Sequence, residues 1–287
     1  MKLLHSREPF NFCGLEDVKF ENSKAVVLPV PYDSTASYIS GMRHGPKAII
    51  EASRHMELYD VELGYEPSQK TGVWTLDELQ PSMDSPKETI KRVRDAFSEI
   101  MDNDRFPIML GGEHSITLGA VQAVAAKYPK LSVLQIDAHS DLRDEFEGTK
   151  YNHACVMRRV REICPAAQVG IRSMCTEEAE FIRHRKLKGI FGTEFKIDDV
   201  VKELGENVYV TIDVDGFDPA EVPAVGTPEP GGLYWKQVMP LLRKVAEKKN
   251  IVGFDVVELC PMPGDIRSDF FCAKLAYKML GYSFMKK

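Results

Sequence analysis

The sequence is poor in the features that mark several large protein classes. Its six cysteines (Cys13, Cys155, Cys164, Cys175, Cys260 and Cys272) form no C-x-x-C pair and no dense cluster, which argues against a zinc ribbon or a disulfide scaffold. No segment approaches the roughly 18 uninterrupted apolar residues of a membrane helix, and the opening "MKLLHSREPFNF" lacks the apolar core of a secretory signal. Basic residues are in deficit: 37 Lys and Arg stand against 43 Asp and Glu, a net charge of −6. A nucleic-acid surface needs the opposite balance, and the acidic excess leans toward a cationic ligand. There is no internal repeat and no low-complexity linker. The expectation is a reduced, cytosolic protein with no nucleic-acid or membrane partner, folded as one domain over residues 1–287.

What is present is alternation. "KAVVLPVPYD" (24–33) reads as a strand opening into a loop. "SPKETIKRVRDAFSEIM" (85–101) reads as a helix with Ser85 as N-cap. Strands are expected at 106–112, 131–139, 167–173, 207–215 and 251–259. Helices are expected at 115–130, 154–164, 176–187, 197–205 and 234–249, with a last one from Ser268. Strands alternating with helices imply an α/β fold with a mainly parallel central sheet covered on both faces. Continuous apolar runs such as "VYVTI" fit that better than a half-exposed antiparallel sheet.

In such folds ligands bind beyond the carboxyl ends of the strands, and the unusual polar residues sit there. "FPIML" runs into "GGEHS" and delivers His114. "LSVLQI" runs into Asp137, His139 and Asp141. "NVYVTI" runs into "DVDGFDP", with Asp213, Asp215 and Asp218. "IVGFDVV" runs into Glu258. Alternate residues of an extended backbone share a face, so 137, 139 and 141 are expected to converge, as are 213 and 215. Several carboxylates in a small volume cannot all stay ionised without a cation. Two imidazoles, a set of carboxylates and no thiolate suit Mn²⁺, Mg²⁺ or Fe²⁺ better than a structural zinc site. The surplus of ligands points to two ions sharing aspartates, a pair that makes a nucleophile of water near neutral pH.

Each motif alone has a plainer reading. Asp-x-His after a strand is commonly a turn or a satisfied polar pair, and "GGEHS" could be a glycine turn capped by Ser115; it is not a G-x-S-x-G elbow. Cys155 beside His153 is more simply a small buried hydrophobe than a nucleophile. His44, His55 and His184 read as surface or packing residues, and His5 as part of a frayed end. The conjunction of four strands ending in acid or imidazole carries the argument.

The blocks "GGEHS", "DAHSD", "IDVDGFDPAEVPAVGTPEPGG" and "VVEL", with "PYDSTASYISGMRHGPKAIIEAS" (31–53) before them, resemble in order the signature blocks of the arginase/agmatinase (ureohydrolase) family. The resemblance covers nearly the whole chain. It implies a three-layer α/β/α sandwich and a binuclear manganese centre, two Mn²⁺ per subunit, that hydrolyses guanidinium groups to urea and an amine. It assigns His114, Asp137, Asp141 and Asp213 to one ion and Asp137, His139, Asp213 and Asp215 to the other. Catalytic roles fall to His153, in proton transfer, to Glu258, which pairs with the guanidinium, and to Asp141 among the ligands; Thr227 is a pocket residue. It also implies a homo-oligomer, trimer or hexamer. Cys155 stands where many members carry threonine.

The loop "DLRDEFEGTKYNH" (141–153) is where family members meet the far end of the substrate. Its acids suit a distal ammonium, so Asp144 and Glu145 are expected to contact substrate, while Arg143 and Lys150 oppose that reading. The pattern "DLRDEF" and "NHACVMRR" looks most like bacterial or archaeal agmatinases, so the expected reaction is agmatine plus water to putrescine and urea. Arginase, guanidinobutyrase or formiminoglutamase activity would use the same metal ligands. A catalytically silent metal-binding relative, or a deacetylase on a related fold, is disfavoured by the complete ligand set.

Overall fold

Apolar runs that repeatedly give way to amphipathic or alanine-rich stretches make strand and helix alternate along the chain. The computed structural model describes residues 9–285; His5 lies outside them. In chain order the elements are β1 (Ala25–Val30), α1 (Gly45–Ser53), α2 (Pro67–Thr71), β2 (Val73–Thr75), α3 (Pro86–Asp102), β3 (Phe106–Gly111), α4 (Thr117–Lys127), β4 (Leu131–Ile136) and α5 (Val156–Val160). They continue with β5 (Ala166–Val169), α6 (Thr176–Arg185), β6 (Ile190–Phe191), α7 (Ile197–Glu203), β7 (Asn207–Asp213), α8 (Trp235–Lys248), β8 (Asn250–Val257) and α9 (Arg267–Ser283). No described helix is long and apolar enough to cross a membrane.

All eight strands form one sheet in the order β2-β1-β3-β8-β7-β4-β5-β6, and every pairing is parallel. Successive side chains of each strand feed two separate cores. Val208, Val210 and Ile212 of β7 pack with α1, α7, α8 and α9, whereas Tyr209 between them packs with α3, α4 and α5. This is why the strands read as unbroken apolar runs: both faces are buried. The expected three-layer α/β/α sandwich is what forms.

Local chemistry fixes the helices. Ser85 Oγ accepts from Glu88 N at 3.3 Å, Pro86 occupies the first turn, and one face of α3 buries Ile90, Val93, Phe97 and Ile100. Emptying the Phe97 site with alanine would cost about 3–5 kcal/mol.

Three departures from the sequence reading are physical. The 154–164 stretch is helical only over Val156–Val160, after a 3-10 turn at His153–Cys155; Pro165 follows, and the residue before a proline resists helical geometry. The edge strands β2 and β6, three and two residues long, are too short to show a period. The strand expected through 139 ends at Ile136.

The consequence for function lies in the order. β3, β8, β7 and β4, which deliver His114, Glu258, Asp213 and Asp137, are consecutive neighbours at the centre of the sheet. Since all run parallel, their carboxyl ends share one edge.

Candidate metal centre

The chain turns sharply as it leaves each of these strands, and glycine makes the approach possible. A Cβ on Gly112 would meet Tyr32 O at 1.8 Å, and one on Gly216 would meet Asp137 N at 2.8 Å; only glycine allows these backbones so close. Asp141 (φ 53°) and Glu258 (φ 67°) both hold left-handed backbone, uncommon for side chains of this kind and concentrated at functional positions. Strand alternation therefore does not bring 137, 139 and 141 together. A loop with a left-handed Asp141 does, and Asp215 arrives on a 3-10 turn, Val214–Gly216.

All six residues expected as ligands converge. His114 Nδ1 lies 3.1 Å from Asp137 Oδ2, 3.2 Å from Asp141 Oδ2 and 3.3 Å from Asp213 Oδ2. His139 Nδ1 lies 2.9 Å from Asp215 Oδ2 and 3.7 Å from Asp137 Oδ1. Two groups, His114–Asp137–Asp213 and Asp137–His139–Asp215, each place one ligand atom per residue within 4.8 Å of one another, with Asp137 common to both. Backbone and side-chain donors pin the carboxylates. Asp137 accepts from His139 N at 2.6 Å and Gln135 Nε2 at 2.5 Å, and Asp215 accepts from Ala138 N at 3.1 Å.

The donor set fits divalent cations, and two observations say so. His114 Nδ1 is buried among three carboxylate oxygens yet makes no hydrogen bond among the described residues, as expected of a lone pair aimed at a metal. Its other nitrogen, Nε2, is 2.8 Å from Thr211 Oγ1, which donates to Asp255 Oδ1 at 2.6 Å; Asp255 also accepts from Thr117 Oγ1 and Tyr209 OH. With its proton on Asp255, Thr211 can only accept from His114, so in the neutral ring that binds a metal Nε2 carries the proton and Nδ1 the lone pair.

The second observation is electrostatic. Burial, then the charges of Asp141 and Asp215, push Asp137 up to about 7. Burial and the neighbouring Asp215 and Asp137 hold Asp213 well above the carboxylate range. Burial works against charging His114, but Asp137, Asp141 and Asp213 outweigh it and raise that imidazole well above its ordinary value. His139 is likewise raised to about 11 by Asp215 despite burial, and Asp215 is drawn down to about 2 by His139. A cluster so short of positive charge recruits protons, and divalent cations would replace them.

The expected reaction residues face the same cavity. Glu258 is buried, and its Oε1 accepts from His114 N at 2.6 Å. Burial and then the nearby Glu113 charge push its carboxyl well above the usual range. His153, Thr227 and Glu258 line one recess with His114, His139 and Asp213, and Thr227 Oγ1 donates to Asp215 Oδ2 at 3.4 Å. A cavity of about 240 Å³ continues outward past Arg143, Phe146, Ser173 and Met174.

The expected substrate contacts of the acidic loop need correction. Asp144 is tied to Arg159 at 2.7 Å and Lys150 at 3.5 Å, Glu145 is exposed, and neither lines the cavity. The loop turns at Glu147 and Gly148, both at positive φ, between the paired Phe146 and Thr149, and this presents Arg143 and Phe146 instead. Asp218 is a turn residue, accepting from Ala220 N and Gly232 N at 2.9 Å each. Burial pushes the Cys155 thiol up to about 12, consistent with a packing role. His55 is exposed beside Glu51.

Sequence reasoning missed Glu113, Thr35, Gln135, Thr211 and Asp255. The available signal was an acid or amide inside an otherwise apolar strand, as in "LQI" and "GFDVV".

A sequence model of the Arginase family matches residues 23–281. An N(1)-aminopropylagmatine ureohydrolase of Synechocystis sp. is 40% identical over 275 residues, spanning 92% of this chain and 90% of its own. An agmatinase of Pyrococcus horikoshii is 34% identical, spanning 98% and 99%. The crystal structure of agmatine ureohydrolase of Thermoplasma volcanium matches with a TM-score of 0.87 at 34% identity, covering 98% of this chain and 95% of that one. The chain therefore belongs to the arginase family and is a ureohydrolase, a hydrolase acting on amidine C–N bonds.

Proposed function

We propose that the protein hydrolyses the guanidinium end of agmatine or of its N(1)-aminopropyl derivative, releasing urea and the corresponding amine, putrescine in the first case. The observation that carries this reading is the recess that Glu258, His153 and Thr227 share with His114, His139, Asp141, Asp213 and Asp215, beside the buried Asp137. His114, Asp137, Asp141 and Asp213 would hold one divalent cation and Asp137, His139, Asp213 and Asp215 a second, with Mn²⁺ as the proposed ion. Such a pair supplies positive charge and lowers the pKa of water.

The chain's own groups do the rest. A guanidinium is planar and permanently charged, so the Glu258 carboxylate orients it through charge-assisted hydrogen bonds, and the cation returns that buried acid to its ionised form. His153, on the open side, hands a proton to the departing amine. Asp141, bent inward by its left-handed backbone, completes the carboxylate wall on the His114 side. Selection of a distal ammonium cannot rest on Asp144. Glu229 takes that place by proximity alone: it does not line the recess, but its half-buried carboxylate lies 3.8 Å from Nε2 of His139, which does. The longer substrate is favoured by the outward cavity, whose Phe146 and Met174 suit an alkyl chain, and by the Synechocystis relative.

The test is urea release by the Mn²⁺-loaded protein from agmatine, N(1)-aminopropylagmatine, arginine and 4-guanidinobutyrate at equal concentration. Preference for either of the first two supports the reading. Preference for a carboxylated substrate, or no urea from any, overturns it. The homo-oligomer, trimer or hexamer, and a cytoplasmic location complete the proposal; mass in solution and cell fractionation test them.

A further inference from the structure

Glu113 is fully buried one residue before His114, and the reaction outlined above makes no use of it. Its carboxylate is aimed at Thr35. Thr35 N donates to Oε2 at 2.6 Å, Thr35 Oγ1 donates to Oε1 at 2.6 Å, and the Ser115 hydroxyl donates to the same Oε1. A hydroxyl has one proton to give. With that proton on Glu113, Thr35 Oγ1 offers only lone pairs, and these face His153: the backbone N at 3.1 Å and the ring Nδ1 at 3.4 Å. Asn152 reinforces the register, donating from Nδ2 to Thr35 O at 3.4 Å and capping the His153 turn at Ala154 N.

An acceptor beside Nδ1 keeps that nitrogen protonated, so in the neutral ring the lone pair sits on Nε2. Ser37 Oγ, 3.4 Å from Nε2, can donate or accept and imposes no tautomer. The geometry points to Glu113 and Thr35 as positioning residues that hold the His153 ring in one orientation with Nδ1 protonated, leaving Nε2 as the atom that exchanges the proton. Glu113 acts through Thr35, and Thr35 through His153. The step they serve rests on the guanidinium-hydrolysis reading; the tautomer does not.

The experiment reads both separately. The full chain labelled with ¹⁵N-histidine, without paramagnetic metal, gives ring ¹⁵N shifts for His153, assigned by their loss in His153→Gln. The expected wild-type pattern is Nδ1–H. Thr35→Val should mix or reverse the tautomer, and in the Mn²⁺-loaded protein lower kcat by about 10- to 100-fold, the scale typical of outer partners. KM and bound metal should stay within twofold. Thr35→Ser keeps the hydroxyl and should restore both readouts. Glu113→Gln, which can donate as well as accept, should free the Thr35 proton to turn toward Nδ1 and raise the Nε2–H form.

A wild-type Nε2–H pattern overturns the proposal. So does Thr35→Val with unchanged tautomer and kcat, or with metal lost in step with activity. If the wild type released no urea yet showed Nδ1–H lost in Thr35→Val, the orienting relay would stand and the hydrolysis reading would fall.

Discussion

Asp137 and Asp144 leave the same strand in the same connection, and their environments are opposite. Asp137 is fully buried, touches His114, His139 and Gln135, and is pushed up to about 7 by burial and by Asp141 and Asp215. Asp144 keeps nearly half its side chain in solvent, and its pairing with Arg159 lowers its pKa. A carboxylate with a fixed cationic partner at the surface is already satisfied and contributes at most about 1 kcal/mol. One buried among other acids is incomplete until a cation arrives. Unmet charge, more than the number of acids, separates the site from its surroundings.

The largest expected effect is at Asp137. Asp137→Ala removes the ligand common to both candidate metal groups, so metal and activity should be lost together, the latter by at least about 1,000-fold, beyond the 10- to 100-fold of outer partners. Metal analysis beside urea assay checks this, and full activity with two bound ions would end the binuclear assignment.

Glu258→Ala should keep the metal and lower kcat/KM by about 30- to 1,000-fold, the cost of removing one partner of a buried charge pair, about 2–4 kcal/mol. An unchanged kcat/KM removes Glu258 from the site.

The pH dependence follows in size. Metal binds the carboxylate form, and Asp137 carries a proton below about 7. Mn²⁺ affinity should therefore fall by about tenfold per pH unit for each proton displaced, most steeply as pH drops below 7 where Asp137 adds its proton to those held by His139, His114 and Asp213. Calorimetry across pH 6–8 in buffers of differing ionisation heat would show the released proton, and a flat profile contradicts the shift.

The smallest effects sharpen the contrast. Glu229→Gln should raise KM for an ammonium-bearing substrate by roughly three- to tenfold, the scale of a partly exposed charge. Asp144→Asn should change KM by less than about twofold and stability by about 0.5 kcal/mol. The reverse ranking would return the acidic loop to substrate recognition.

Much of the fold was legible because β4 and β7 are buried on both faces and α3 carries its cap and stripe in sequence. The site was legible because packing alone gives no reason for four apolar runs to end in Asp, Glu or His. The second layer was not. Thr211 and Asp255 look like ordinary strand residues until the parallel register sets them opposite each other, and Thr35 meets Glu113 only because the loop after β1 folds across β3.

By itself, the sequence determined the strand–helix order, the side-chain chemistry at the strand ends and the family, since local apolar period and short motifs are carried by neighbouring residues. Tertiary structure alone decided that β3, β8, β7 and β4 stand side by side, that Asp141 enters through a left-handed backbone, and that Asp144 turns to Arg159. Those outcomes depend on packing between segments far apart in the chain, where close approach at Gly112 and Gly216 and the availability of a counter-charge determine which way a side chain faces.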